Sequence, residues 1–199
     1  MRKPRAPGAV LAVLMLTASV GWSQEAGTTA ETTAGTTAAA ATADSTSAET
    51  ALDPSIAVAR EEDGRYFNAE DIPTFNIAED GTVDWRTYSG FRRYHAECHV
   101  CHGPDGEGSS YAPALKDSVM RIDYYEFVGI VAGGIQHVDA GNANVMPAFG
   151  TNVNVMCYLD DIYVYLRARG AGALERGRPA QREDKSDVIR EDENACLGT

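Results

Sequence analysis

"RYHAECHVCHG", Arg93 to Gly103, gathers three of the chain's four histidines and two of its four cysteines into eleven positions. Zinc, a redox-active dithiol and haem all draw on these side chains. Spacing separates the three. Cys98, Cys101 and His102 read C-x-x-C-H, and on a helical turn residues at i, i+3 and i+4 share one face. Two thiols so placed meet the two vinyl groups of a porphyrin while the adjacent imidazole reaches its iron. This is the covalent attachment signature of c-type haem. A dithiol of the thioredoxin kind would follow a strand in a βαβ pattern, and none surrounds it. A zinc site would have to recruit Cys157 and Cys196, or His95 and His99 beside His102, with thiols kept free in an oxidising compartment.

The compartment is read from the N-terminus. Arg2, Lys3 and Arg5 precede the apolar run "AVLAVLMLTASV" (residues 9–20), and small residues at Gly21 and Ser23 follow. A charged n-region, a short h-region and a small-residue exit predict an export signal over 1–23, cleaved before Gln24, and hence the periplasm. Membrane attachment follows only if that segment stays uncleaved. The full chain carries a net charge of −12. Loss of the three basic residues takes it to about −15, which leaves no basic patch for nucleic acid and favours a basic docking partner.

Residues 24–50 are almost entirely Ala, Thr, Ser, Gly and Glu. With no large apolar side chain to offset ordering entropy, they predict a disordered tether. Residues 51–83 hold Tyr66, Phe67, Ile72, Phe75 and Ile77 between turn signals at Pro73 and Gly81, an ordered extension with room for a hairpin. From Asp84, a candidate N-cap, "WRTYSGFRRYHAE" places Trp85, Tyr88, Phe91 and Tyr94 on one helix face. A Gly/Pro loop, "GPDGEGSSYAPAL" (103–115), follows. Asp123–Gly134 predicts a helix stopped by its paired glycines. "GNANVMPAFG" (141–150) reads as loop, and "NVMCYLDDIYVYLRARG" (154–170) as a final helix ending at Gly170. Residues 171–199 read as a polar, irregular tail.

A second axial ligand is sought among Met120, Met146, Met156 and His137. Methionine opposite histidine raises the reduction potential and fills the coordination sphere, as electron transfer requires. Met120 approaches a helix and Met156 lies within one, where core packing is its ordinary role. Met146 sits in a loop stiffened by Pro147 and is favoured, with His137 its rival. Cys157 and Cys196 remain once the haem has taken its pair. Their simplest role is a disulfide pinning the tail to the final helix; free thiols or an intermolecular bond are the alternatives. His95 and His99 are expected to be bystanders. Arg92 and Arg93 either pair with a haem propionate or nearby acids, or form a solvated face.

Gly90 and Tyr94, eight and four residues before Cys98, complete G-x-x-x-[FY]-x-x-x-C-x-x-C-H. With Met146-Pro147 downstream, the stretch Asp84–Gly170 resembles a class I cytochrome c. The resemblance implies an all-α fold, here with the ordered N-terminal extension and a disulfide-anchored C-terminal tail. It also implies one covalently attached haem c, a close crossing of Gly90 against Tyr163 or Tyr165, and a Pro113 carbonyl that accepts a hydrogen bond from the His102 imidazole. More narrowly, "IPTFNIAEDGTVDWRTYSGFRRYH" (72–95), "MCYLDDIYVYLRARG" (156–170) and the four-cysteine layout resemble cytochromes of methanol metabolism. Those imply a PQQ-dependent alcohol dehydrogenase as electron donor and another cytochrome or an oxidase as acceptor. A carrier rather than an enzyme is expected. A fixed haem subunit of a respiratory complex and a haem enzyme or gas sensor with an open distal site are the alternatives.

Overall fold

The computed structural model describes residues 53, 55–139 and 142–199. The expected signal segment and Ala/Thr tether lie outside them. The elements run in the order β1 (Arg60–Glu62), β2 (Arg65–Phe67), β3 (Pro73–Thr74), α1 (Trp85–Glu97), α2 (His99–His102), α3 (Leu115–Ser118), α4 (Tyr124–Gly133), β4 (Ile135–Asp139), β5 (Asn142–Met146), α5 (Val153–Met156), α6 (Leu159–Gly170) and α7 (Asp187–Leu197). Among the described residues no helix is long and apolar enough to cross a membrane.

The centre of the fold is the crossing of α1 and α6. Asp84 caps α1 by accepting from the Thr87 N–H at 2.8 Å, which satisfies one of the orphan donors of the first turn. Gly90 lies at the crossing. A Cβ there would stand 1.9 Å from the Asp161 carbonyl oxygen and 2.7 Å from Tyr165 Cβ. Only glycine permits two backbones to approach so closely. Tyr165, rather than Tyr163, is the aromatic across from it. Tyr94, Tyr165, Val164 and Leu166 are wholly buried around the crossing, and the Tyr94 and Tyr165 rings are 5.6 Å apart.

Five expectations need correction. The fold is helix-rich but not all-α. β1, β2 and β3 form an antiparallel three-stranded sheet, and β4 and β5 form an antiparallel hairpin from Ile135↔Met146 to Asp139↔Asn142. The segment read as loop before Met146 is therefore a strand, because backbone pairing supplies what its polar Asn side chains do not advertise. The final helix is two: Tyr158, at φ −128° and ψ 19°, leaves helical geometry between α5 and α6. Gly170 is the last residue of α6 rather than its stop; its missing Cβ makes room for the Lys116 carbonyl, 2.3 Å from where it would lie. The tail is not irregular throughout, since Ser186 caps α7 by accepting from the Ile189 N–H at 3.2 Å and Ile189 is buried.

Cys157, between α5 and α6, and Cys196, near the end of α7, are joined as a disulfide across 39 positions. Lys185 and Tyr158 both reach Glu193, at 2.6 and 3.1 Å, and Arg65 pairs with Asp192. Helix α7 is thus fastened to the body through one covalent and several polar links.

Candidate functional site

The turn that carries the C-x-x-C-H motif is built from the C-terminal end of α1. Cys98 closes α1 with its N–H on the Tyr94 carbonyl (2.9 Å), then opens α2 by accepting at its own carbonyl from Cys101 (3.2 Å) and His102 (3.0 Å). Its side chain is half-buried and that of Cys101 is exposed. Burial pushes the Cys98 thiol up to about 12, with the neighbouring Glu97 charge adding to the effect.

His102 is 7% exposed. Its Nδ1 lies 2.9 Å from the Pro113 carbonyl oxygen. A carbonyl only accepts, so Nδ1 carries the proton and Nε2 keeps its lone pair for a metal. The donated bond also fixes the ring plane.

Pro113 reaches that position because the intervening loop is tightly folded. Gly103 turns at φ +72°, where a Cβ would meet the Gly108 oxygen at 2.1 Å, and the Gly108 N–H returns to the His102 carbonyl at 2.8 Å. Tyr94 donates its hydroxyl to the Gly103 carbonyl at 2.6 Å and accepts from the Gly106 N–H at 3.1 Å. Here the buried aromatic of α1 becomes a polar strut under the loop.

Asp105 anchors the same loop, and the sequence reading passed over it. It adopts φ +57°, a left-handed conformation that Asp tolerates better than most residues. Its carboxylate accepts from Gly177 N–H (3.1 Å), Tyr165 hydroxyl (3.3 Å) and Arg176 Nε (3.4 Å). Burial alone would raise its pKa, but the Gly177 hydrogen bond, His95, Arg176 and Arg169 together hold it below the ordinary value. Arg169 also donates to the Asp105 carbonyl (3.3 Å) and to Glu107 (2.8 Å), which Lys116 meets at 2.9 Å. The available signal was the glycine-flanked Asp in "GPDGEG", which marks a turn but not its partners.

His95 faces this hub, its Nδ1 2.8 Å from the Phe91 carbonyl and its Nε2 3.4 Å from Asp105 Oδ1. The His99 ring meets it edge-on at 5.4 Å. Arg93 lies over the Tyr158 ring at 3.4 Å, and Arg92 is exposed.

The remaining sulfur ligand candidates occupy separate places. Met146 ends β5 and is half-buried against the core. Met120 packs at Gly170. Met156 lines a cavity of about 260 Å³ beside the Cys157–Cys196 bond. His137 lies in β4, its backbone opposite Asn144. Among the described residues, no three His, Cys, Asp or Glu side chains converge as an all-protein metal cage would need. The available donors are one imidazole with a free Nε2, two cysteines on its own turn and a thioether on another segment, a set that fits a haem c.

Residues 86–166 match the family described as "Cytochrome C oxidase, cbb3-type, subunit III". Cytochrome c-553I of Paracoccus denitrificans is 64% identical over 136 residues, which cover 68% of this chain and 60% of that protein. The match therefore spans less than two thirds of that relative's length. Cytochrome c-555 of Methylococcus capsulatus is 35% identical over 96 residues, 48% of this chain and 72% of that one. Among solved structures, the crystal structure of the c-type cytochrome XoxG from Methylobacterium extorquens AM1 superposes with a TM-score of 0.68 at 60% identity, covering 72% of this chain and 87% of that chain.

Proposed function

The chain belongs to the c-type cytochromes and binds haem c covalently, and from that premise we propose that it is an exported, single-haem electron carrier of methanol or alcohol oxidation. In this reading Cys98 and Cys101 would form the thioether links, and His102 and Met146 would hold the haem iron. When bound, haem c supplies a one-electron couple between ferrous and ferric iron.

The chain's own residues do the rest. The Pro113 carbonyl holds the Nδ1 proton of His102 and orients Nε2. Tyr94 and Asp105 keep the Gly103–Pro113 loop from shifting that carbonyl, so that the ring needs little reorganisation when the charge changes. The observation that carries the reading is the buried His102 with its Nδ1 on Pro113, one residue beyond two cysteines of attachment spacing.

The donor is a quinoprotein (PQQ-dependent) alcohol dehydrogenase, and the acceptor another cytochrome or an oxidase. The methanol-type sequence segments, residues 72–95 and 156–170, carry this assignment, and the likeness to the c-type cytochrome XoxG accords with it. Export to the periplasm rests on the N-terminal segment. The protein is a carrier rather than an enzyme, and its docking interface is small and salt-sensitive, as is usual for redox encounters.

The test is stopped-flow reduction of the ferric protein by a purified quinoprotein methanol dehydrogenase at varied salt, with carbon monoxide binding to the ferrous protein alongside. Fast, salt-dependent reduction and a CO-inert haem are expected. Rapid CO binding would instead favour an open-site enzyme or sensor. The match to an oxidase-subunit family favours a second reading, a fixed haem subunit. Co-purification with membrane oxidase components would support it.

A further inference from the structure

Helix α4 ends against the segment that carries Met146. The last carbonyls of a helix have no partner within it. Here the Val131 carbonyl accepts from the Phe149 N–H and the Ala132 carbonyl from the Gly150 N–H, both at 3.0 Å. On the opposite side, Ile135 pairs with Met146 in the β4–β5 ladder. The backbone that bears the thioether is therefore docked onto the C-terminal end of α4 from two directions.

Gly134 lies at the seam. It leaves α4 at φ +71°, and a Cβ on it would stand 2.6 Å from the Met146 carbonyl oxygen, 2.8 Å from Ala148 N and 2.9 Å from Pro147 C. All three are backbone atoms, so no rotamer change relieves the overlap. Gly133, one position earlier, has open space within 4 Å of its would-be Cβ. The pair of glycines thus has unequal duties: the first is a residue of the helix, and the second admits the ligand segment.

We propose that Gly134 is a positioning residue for Met146, allowing the Met146–Ala148 backbone to seat directly on the end of α4 and so fixing where the thioether is presented. This rests on the reading of Met146 as the distal ligand. A side chain at 134 displaces the segment outward and weakens the hold of the sulfur without touching the His102 side.

The test compares holoprotein of wild type, Gly134→Ala, Gly133→Ala and Met146→Ala. The readouts are the ferric absorption that iron–methionine bonding gives and the ferric affinity for imidazole. Gly134→Ala should lose or weaken the absorption and bind imidazole about 10- to 100-fold more tightly, the scale on which supporting residues tune metal sites. Gly133→Ala should match wild type in both.

If Met146→Ala abolishes the absorption but Gly134→Ala behaves as wild type, the positioning role is overturned while Met146 stands as ligand. Equal damage from Gly133→Ala also overturns it, because the cause would then be the helix and not the seam. If Met146→Ala leaves the absorption intact, the ligand reading falls first. Should Gly134→Ala not accumulate, Gly150→Ala probes the same seam, its Cβ 3.0 Å from the Ala132 oxygen. It should shift both readouts in the same direction but less, and no shift there refutes the proposal.

Discussion

On the proposed assignment of His102 and Met146 as the two ligands, the segments that carry them are built to different standards. On the His102 side, the imidazole is 7% exposed and its Nδ1 bond is backed by a loop that Tyr94, Asp105 and Arg169 tie to α1, α6 and the tail. On the Met146 side, a half-buried thioether sits at the end of a two-stranded hairpin, held by backbone bonds to α4. Buried, multiply satisfied polar networks resist local opening, whereas short hairpins with few buried contacts open at low cost. The expectation is a rigid proximal ligand opposite a softer, more readily displaced distal one. Substitutions at the α1/α6 crossing, the His102 loop and the tail test the first side, and Gly134→Ala and Met146→Ala test the second.

The largest effect belongs to the crossing on which the proximal wall stands. Gly90→Val drives a side chain into the Asp161 backbone and should cost more than about 3 kcal/mol, beyond ordinary overpacking. Thermal unfolding and the yield of haem-loaded protein check this. Next, Cys196→Ser frees α7 and should cost roughly 2–4 kcal/mol on the chain-entropy account. Denaturant unfolding reads that loss, and the haem spectrum should not change because the link lies away from His102.

Asp105→Asn removes the charge that the loop is organised around and should weaken the proximal wall by about 1–3 kcal/mol at neutral pH. Its folded pKa is depressed, so the stability it contributes is present above the ordinary carboxylate value and is lost as pH falls through the depressed one. The gap between variant and wild type should therefore close on acidification, which a series of melts below pH 5 would show.

An effect opposite in sign comes from Asp161. Burial pushes its carboxyl up to about 7, against the pull of Arg86. Its folded form holds a proton that the unfolded chain releases near pH 4, so stability falls as pH rises from about 4 to about 7. Asp161→Asn should gain on wild type across that window and no further above about pH 8. A constant difference at all pH values would contradict the assignment.

How much of this was legible beforehand follows the same division. The proximal wall announces itself through local rules. C-x-x-C-H is a helical-turn spacing, Asp84 is an N-cap, and the apolar stripe of α6 repeats with helical period. The family resemblance led to Gly90 and to Pro113.

What escaped notice depends on partners distant in sequence. Tyr165 and Gly177 reach Asp105 from 60 and 72 positions away. The β4–β5 hairpin hides because Asn and Gln have weak strand preference and its ladder is a backbone property. Helix α7 hides because an acidic run masks the Ser186 cap and the buried Ile189, and its attachment to the body is tertiary.

The measurement closest to the central claim is the ferric absorption spectrum of Met146→Ala beside wild type, recorded on haem-loaded protein of equal concentration. The account predicts a ferric absorption from iron–methionine bonding in wild type that disappears in the variant while the covalent haem and His102 ligation persist. Survival of that absorption in Met146→Ala, or its absence from wild type, would contradict it.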